Sequence, residues 1–177
     1  MQLRVFWKPT GRVPMRSLAD YISPLQPVPK TAVLTPGFRE SKRVRVFPFG
    51  WSEEAVRFRP AVLAGPTAEI VALGRNWRGE WPSPTHAVVV FSREGIPLLD
   101  DAARDLLWNL FGLPVFEQYL DDQCELLAAE CDAHDGLHVL SDRVSREDCV
   151  RVEGPCGCGS SAPRLRSVRA RGTAAGA

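Results

Sequence analysis

HAVVVFSREGIPLLDDAARDLLWNLFGLPVFEQYL, residues 86–120, is the stretch that decides the fold. His86–Phe91 is a nearly unbroken apolar run, the composition of a strand buried on both faces. Pro97-Leu98-Leu99-Asp100-Asp101 follows, with an aspartate placed to cap a helix. Ala103, Leu106, Leu107, Leu110 and Phe111 then recur at helical spacing, and Gly112 supplies a left-handed stop. Val115–Tyr119 reads as a second strand. Strand, helix and strand in this order predict a parallel pair joined by a helical crossover.

Upstream, Leu3–Trp7, Thr31–Leu34, Val44–Phe49, Val56–Phe58 and Glu69–Leu73 read as strands, rich in Val, Ile, Phe and Leu. Thr35-Pro36-Gly37 and Gly65-Pro66 are turn signals between them. Charge alternates with apolar residue in Lys42–Val46 and Ala55–Arg59, the mark of half-exposed strands. A basic groove is the sharper reading of the same arginines, and solvated strand faces the commoner one. Trp77, Trp81 and the prolines around Ser83 suggest an irregular connection. Downstream, Leu137–Leu140 is expected to be a strand, and the basic tail after Pro163 is expected to fray. The fold class is therefore α/β, a mixed sheet whose N-terminal half is rich in strands.

At 177 residues the chain is long enough for one ordinary core and too short for two large ones. Lys and Arg number 22 against 21 Asp and Glu, a balance that argues against a nucleic-acid or membrane surface. No apolar run approaches a membrane span, and the opening MQLRVFWKPTGR lacks the apolar core of a secretion signal. A cytoplasmic location is expected. Its five cysteines should then be reduced, which favours metal ligation or burial over disulfides.

Three separated motifs carry a resemblance. Phe111-Gly112-Leu113-Pro114-Val115 leads into Tyr119; Glu130-Cys131 precedes Gly136-Leu137-His138-Val139; Cys156-Gly157-Cys158-Gly159 precedes Pro163-Arg164-Leu165. In this order they resemble the AMP-forming aryl–CoA ligases of the phenylacetate–CoA ligase type. Arg93–Pro97 reads as an altered version of that family's glycine–glutamate–proline turn. The resemblance covers residues 86–168; residues 1–85 are a strand-rich region without a signature, and 169–177 a flexible tail.

The departures from the family weigh against its chemistry. Acyl-adenylate formation needs a Ser/Thr/Gly-rich loop to cradle phosphates. Pro9-Thr10-Gly11-Arg12 is too sparse for that. The family's Tyr-Gly-x-Thr-Glu segment stands here as Tyr119, Leu120, Asp121, Asp122 and Gln123. Leu120 cannot give the close backbone approach of glycine. Asp122 would set a negative charge where a phosphate belongs, a repulsion of roughly 4 kcal/mol at about 4 Å and an effective dielectric near 20. Gln123 is a poorer ligand for magnesium than glutamate. The long stretch before the Cys-x-Cys turn is shortened, and the C-terminal domain with the family's catalytic lysine is expected to be absent.

The resemblance implies that Cys131, His138, Cys156 and Cys158 bind a structural zinc in a hairpin that closes the ligase-like segment. Three thiolates and one imidazole suit a closed tetrahedral shell. The alternative is that Cys131 is a small buried hydrophobe and the CGCG turn merely flexible. His134 rivals His138 but precedes Gly136 in a turn, where exposure is expected. Glu130 could be argued as a general base beside an open zinc, although a carboxylate next to a ligand more often supports it or faces solvent. Cys124 and Cys149 are expected to be packing or spare thiols. The resulting expectation is a catalytically inactive, zinc-stabilised binding, regulatory or assembly protein. Its partner would be a protein, either an intact ligase or a component of an acyl-carrier pathway. One rival is an acyl-transfer or split-ligase component active with a partner chain. The other is a small zinc-dependent nucleic-acid binder using Arg164, Arg166, Arg169 and Arg171.

Overall fold

A computed structural model describes residues 17–77 and 84–168, and within them nine strands form one mixed sheet. In chain order the elements are β1 (Thr31–Val33), β2 (Val44–Val46), α1 (Glu53–Phe58), β3 (Val62–Pro66), α2 (Thr67–Arg75) and β4 (Ala87–Ser92). They continue with α3 (Asp101–Phe111), β5 (Val115–Leu120), β6 (Leu126–Glu130), β7 (Leu137–Val139), β8 (Cys149–Val152) and β9 (Arg164–Ser167). The spatial order is β2-β1-β3-β4-β5-β6-β7-β9-β8. Strands β2 to β5 are parallel to their neighbours, and every pairing from β5 to β8 is antiparallel.

The crossover read from residues 86–120 is present. Asp100 caps α3, its Oδ1 accepting the Ala103 N–H at 2.8 Å, and Gly112 ends the helix at φ 64°. β4 then pairs with β5 in parallel, Val88 opposite Val115.

From β2 the chain steps to β3, β4 and β5 in one direction along the sheet. Crossovers of one hand then fall on one face. Ala55 of α1, Ile70 of α2 and Leu107 of α3 accordingly share a core with Leu34, Leu63, Val88 and Val90. The step from β1 to β2 runs the other way, so its connection falls on the opposite face. There Phe38, with Tyr21, Leu25 and Val28, covers Val33, Val62, Val89 and Phe91. A third cluster of Leu98, Tyr119, Leu127, Leu137 and Leu165 underlies the antiparallel half.

Four sequence expectations are corrected. Val56–Phe58 lies in α1 and Glu69–Leu73 in α2, not in strands. Alternation over three to five residues cannot separate a period of 2 from one of 3.6. Ser52 caps α1 by accepting the Ala55 N–H, and Ile70 with Gly74 puts the buried positions of α2 at i and i+4. β2 stops at Val46 rather than Phe49, ahead of Pro48, which has no N–H to donate. The segment after Pro163 does not fray at its start: Arg164–Ser167 is β9, an interior strand between β7 and β8. Leu3–Trp7 lies outside the described residues. No helix among the described residues is long and apolar enough to cross a membrane.

Candidate metal centre

Two turns meet beside β7 and β9. The first joins β6 to β7, residues 131–136. His134 donates its N–H to the Cys131 carbonyl at 3.0 Å, and Gly136 adopts φ 90°. A Cβ on Gly136 would stand 2.6 Å from the Leu165 carbonyl oxygen, so only glycine lets this turn lie against β9. The second turn lies between β8 and β9. Gly159 donates to the Cys156 carbonyl and Cys156 to the Ser160 carbonyl, both at 2.9 Å.

His138 sits in the middle of β7, opposite Ala129 on one side and Arg164 on the other. Its strand neighbour Leu137 belongs to the third core cluster, so strand alternation turns His138 to the other face. Asp135 forms ion pairs with both Arg164 and Arg166 and locks the first turn to β9. Arg164 also donates to the Gly154 carbonyl and so reaches the second turn.

This scaffold brings Cys131, His138, Cys156 and Cys158 together, with all four donor atoms within 4.8 Å of one another. Cys131 Sγ is 3.6 Å from Cys156 Sγ, and Cys158 Sγ is 3.4 Å from His138 Nε2. Zinc bonds of 2.3 Å to sulfur and 2.0–2.1 Å to nitrogen give tetrahedral edges of about 3.8 Å for S···S and about 3.5 Å for S···N. The closest pairs therefore fit a tetrahedral ion without rearrangement. The imidazole turns Nε2 toward the sulfurs, and its buried Nδ1 has no hydrogen-bond partner among the described residues. Burial pushes the Cys131 thiol up to about 11, while the Cys158 N–H and surrounding thiols hold Cys156 down at about 6. The cluster can hold a metal ion.

Neither His134 nor Glu130 belongs to it. His134 lies at φ 49°, half exposed, with its ring against Phe116 and Nδ1 3.2 Å from Glu130 Oε1. Glu130 is buried. It accepts from Arg104 at 2.9 Å and from the Glu117 backbone N–H at 2.9 Å, and so fastens the end of β6 to β5 and α3. Cys124 is buried beside the Pro36 carbonyl and Arg93, and Cys149 begins β8, both away from the cluster.

The segment 119–123, expected from the resemblance to be an altered adenylation motif, folds into the β5–β6 hairpin. Leu120 is buried in the core. Asp121 Oδ1 accepts the N–H groups of Gln123 and Glu125, each at 2.9 Å, and Oδ2 pairs with Arg143 at 3.1 Å. The Tyr119 ring is covered by the Arg146 guanidinium, 4.9 Å from its centroid. Arg146 is itself nearly buried and donates to the carbonyls of Arg93 and Ile96, besides pairing with Asp148. Asp122 and Gln123 line a cleft of about 330 Å³ with Thr35, Gly37, Arg93 and Cys124. Sequence reasoning missed Arg146 and Asp135, each of which acts through a residue distant in sequence; neither has a local signature.

No protein-family model matches the chain, and no curated protein matches it. Among solved structures the chain is similar to an open conformation of 2-hydroxyisobutyryl-CoA ligase in complex with 2-HIB-AMP and CoA. The TM-score is 0.57 at 15% identity, covering 80% of this chain and 44% of that one. The chain thus spans less than half the length of that ligase. At such identity the likeness is one of fold, shared with part of that ligase.

Proposed function

We propose that this chain is a catalytically inactive, zinc-stabilised relative of the phenylacetate–CoA ligase type, serving as a binding, regulatory or assembly protein. The observation that carries the reading is a contrast between two sites. The four metal-type donors converge, whereas in the segment that stands for the adenylation motif Leu120 is buried and Asp121 holds a hairpin. Tyr119 is almost fully buried, with one ring face covered by Arg146, and so offers little aromatic surface to a nucleotide base. Asp122 and Gln123 bring neither a hydroxyl for phosphate nor a carboxylate suited to magnesium.

Zinc would be held by Cys131, His138, Cys156 and Cys158, and four protein ligands leave no open position for a reacting water. Its contribution is to join the β6–β7 turn to the β8–β9 turn. A protein partner, an intact ligase or an acyl-carrier component, is the role that fits a ligase-like sheet without its chemistry.

Purified protein should contain close to one zinc per chain. With ATP, magnesium, CoA and phenylacetate or benzoate it should release no AMP above background. AMP production that disappears when Tyr119 is replaced would sink the inactive reading; protein without metal would sink the zinc. The 44% share of the ligase's length supports a second reading, a split-ligase component completed by another chain. ATP–pyrophosphate exchange that emerges only on adding the partner would favour it.

A further inference from the structure

We propose that Cys131 and Cys156 form a peroxide-sensitive dithiol, whose closure to a disulfide expels the metal. The inference rests on the metal-site reading above and adds a modification to that site. These two sulfurs are 3.6 Å apart, whereas the third, on Cys158, lies 3.4 Å from the imidazole of His138. Disulfide formation needs the pair to close to about 2 Å, a movement within reach of side-chain rotation on two turns.

What keeps the sulfurs facing each other does not depend on metal. Asp135 pairs with Arg164 and Arg166, Gly136 lies against the Leu165 carbonyl, and Leu137 is in register with Leu165. Each turn is also closed by its own backbone hydrogen bond. Loss of the ion therefore leaves the two thiols in place.

Cys131 is the more accessible of the two, and Cys156 is buried. Hydrogen peroxide would be attacked by one of these two sulfurs in its thiolate form. The O–O bond breaks, an S–O bond forms, and a sulfenic acid results with release of one water. The thiolate of the other cysteine then attacks that sulfur. The S–S bond forms as the S–O bond breaks, and the departing hydroxide takes a proton to leave as a second water. Two electrons pass from the sulfurs to peroxide. Two of the four donors are lost, and Cys158 with His138 cannot retain the ion in a closed shell.

The test is titration of the full, metal-containing chain with hydrogen peroxide, following zinc with a chromophoric chelator and mapping cysteines by mass spectrometry. The expected result is release of one zinc per chain, a Cys131–Cys156 cross-linked peptide lacking two hydrogens, and reversal by dithiothreitol with added zinc. Cys124→Ser and Cys149→Ser should respond as the parent does. Metal retained with all thiols intact, or released with a bond involving Cys158 or with sulfinic acid alone, overturns the proposal. The two readings fail differently. Fully reduced protein that takes up no added zinc yet forms the Cys131–Cys156 bond with peroxide refutes the zinc assignment and upholds the dithiol, whereas zinc-loaded protein that never forms it does the reverse.

Discussion

Glu117 is a carboxylate enclosed by the sheet and the start of α3, and burial raises its pKa from 4.5 to about 7. Arg104 at 3.8 Å, the Leu99 N–H and the Ser92 hydroxyl oppose that shift, while Glu130 adds to it. A raised folded-state pKa means the folded protein binds the proton more tightly than the unfolded chain. Stability from this group is therefore complete below about pH 4.5 and is lost as pH rises through about 7, on the order of 3 kcal/mol. Glu117→Gln should remove that slope. Acid also strips metal from thiolates, so the informative quantity is the difference between parent and variant in urea unfolding at pH 5 and pH 7.5. The same scale decides the ligand assignment. Cys131→Ser, Cys156→Ser and Cys158→Ser should each lose zinc by metal analysis, while Cys124→Ser and Cys149→Ser keep it. Release by Cys149→Ser but not by Cys131→Ser would refute the set.

Among the elements, α2 and α3 cross where Gly74 meets Phe111. A Cβ on Gly74 would stand 2.9 Å from the Phe111 ring and 3.0 Å from Leu110 Cβ. Gly74→Ala gains up to about 1 kcal/mol of helix propensity, and overpacking costs about 1–3 kcal/mol, so net destabilisation is expected in thermal unfolding. The β6–β7 turn gives a sharper case, because Gly136 combines φ 90° with a backbone atom in the way. Gly136→Ala should destabilise by about 2 kcal/mol or more and weaken zinc binding, measured by chelator competition. Unchanged affinity would show that the turn does not position Cys131. The pairing of Asp135 with two arginines of β9 also limits what metal removal can do. Residues 137–139 and 164–167 should stay protected in hydrogen exchange without zinc.

Across the whole molecule, five parallel-type strands and their helices continue into an antiparallel extension that carries the metal donors. The end of β5 is the junction between the two halves, and there the ring of Tyr119 packs under Arg146. ATP should accordingly give no protection. A ligand at one hundred times its dissociation constant raises stability by roughly 2.7 kcal/mol, so a clear increase in melting temperature at millimolar ATP would show a working nucleotide pocket.

The central crossover was legible in the amino-acid sequence because its signals are local: an apolar run, an Asp100 cap, helical spacing and Gly112 as a stop. The metal donors were legible only through resemblance to a family, since a Cys-x-Cys spacing alone does not say what faces it. The short helices α1 and α2 were not legible, because within five residues the helical and extended patterns coincide and the neighbouring core decides between them. β9 was hidden as well. Arg164 and Arg166 look like a solvated basic tail until Asp135, some thirty residues earlier, pairs with both and supplies the opposite charge that makes the burial of Arg164 tolerable. Residue type determined which groups could cap, turn or ligate. Only tertiary structure decided which charges met, because neutralising a buried cation takes a partner that adjacency in sequence does not provide.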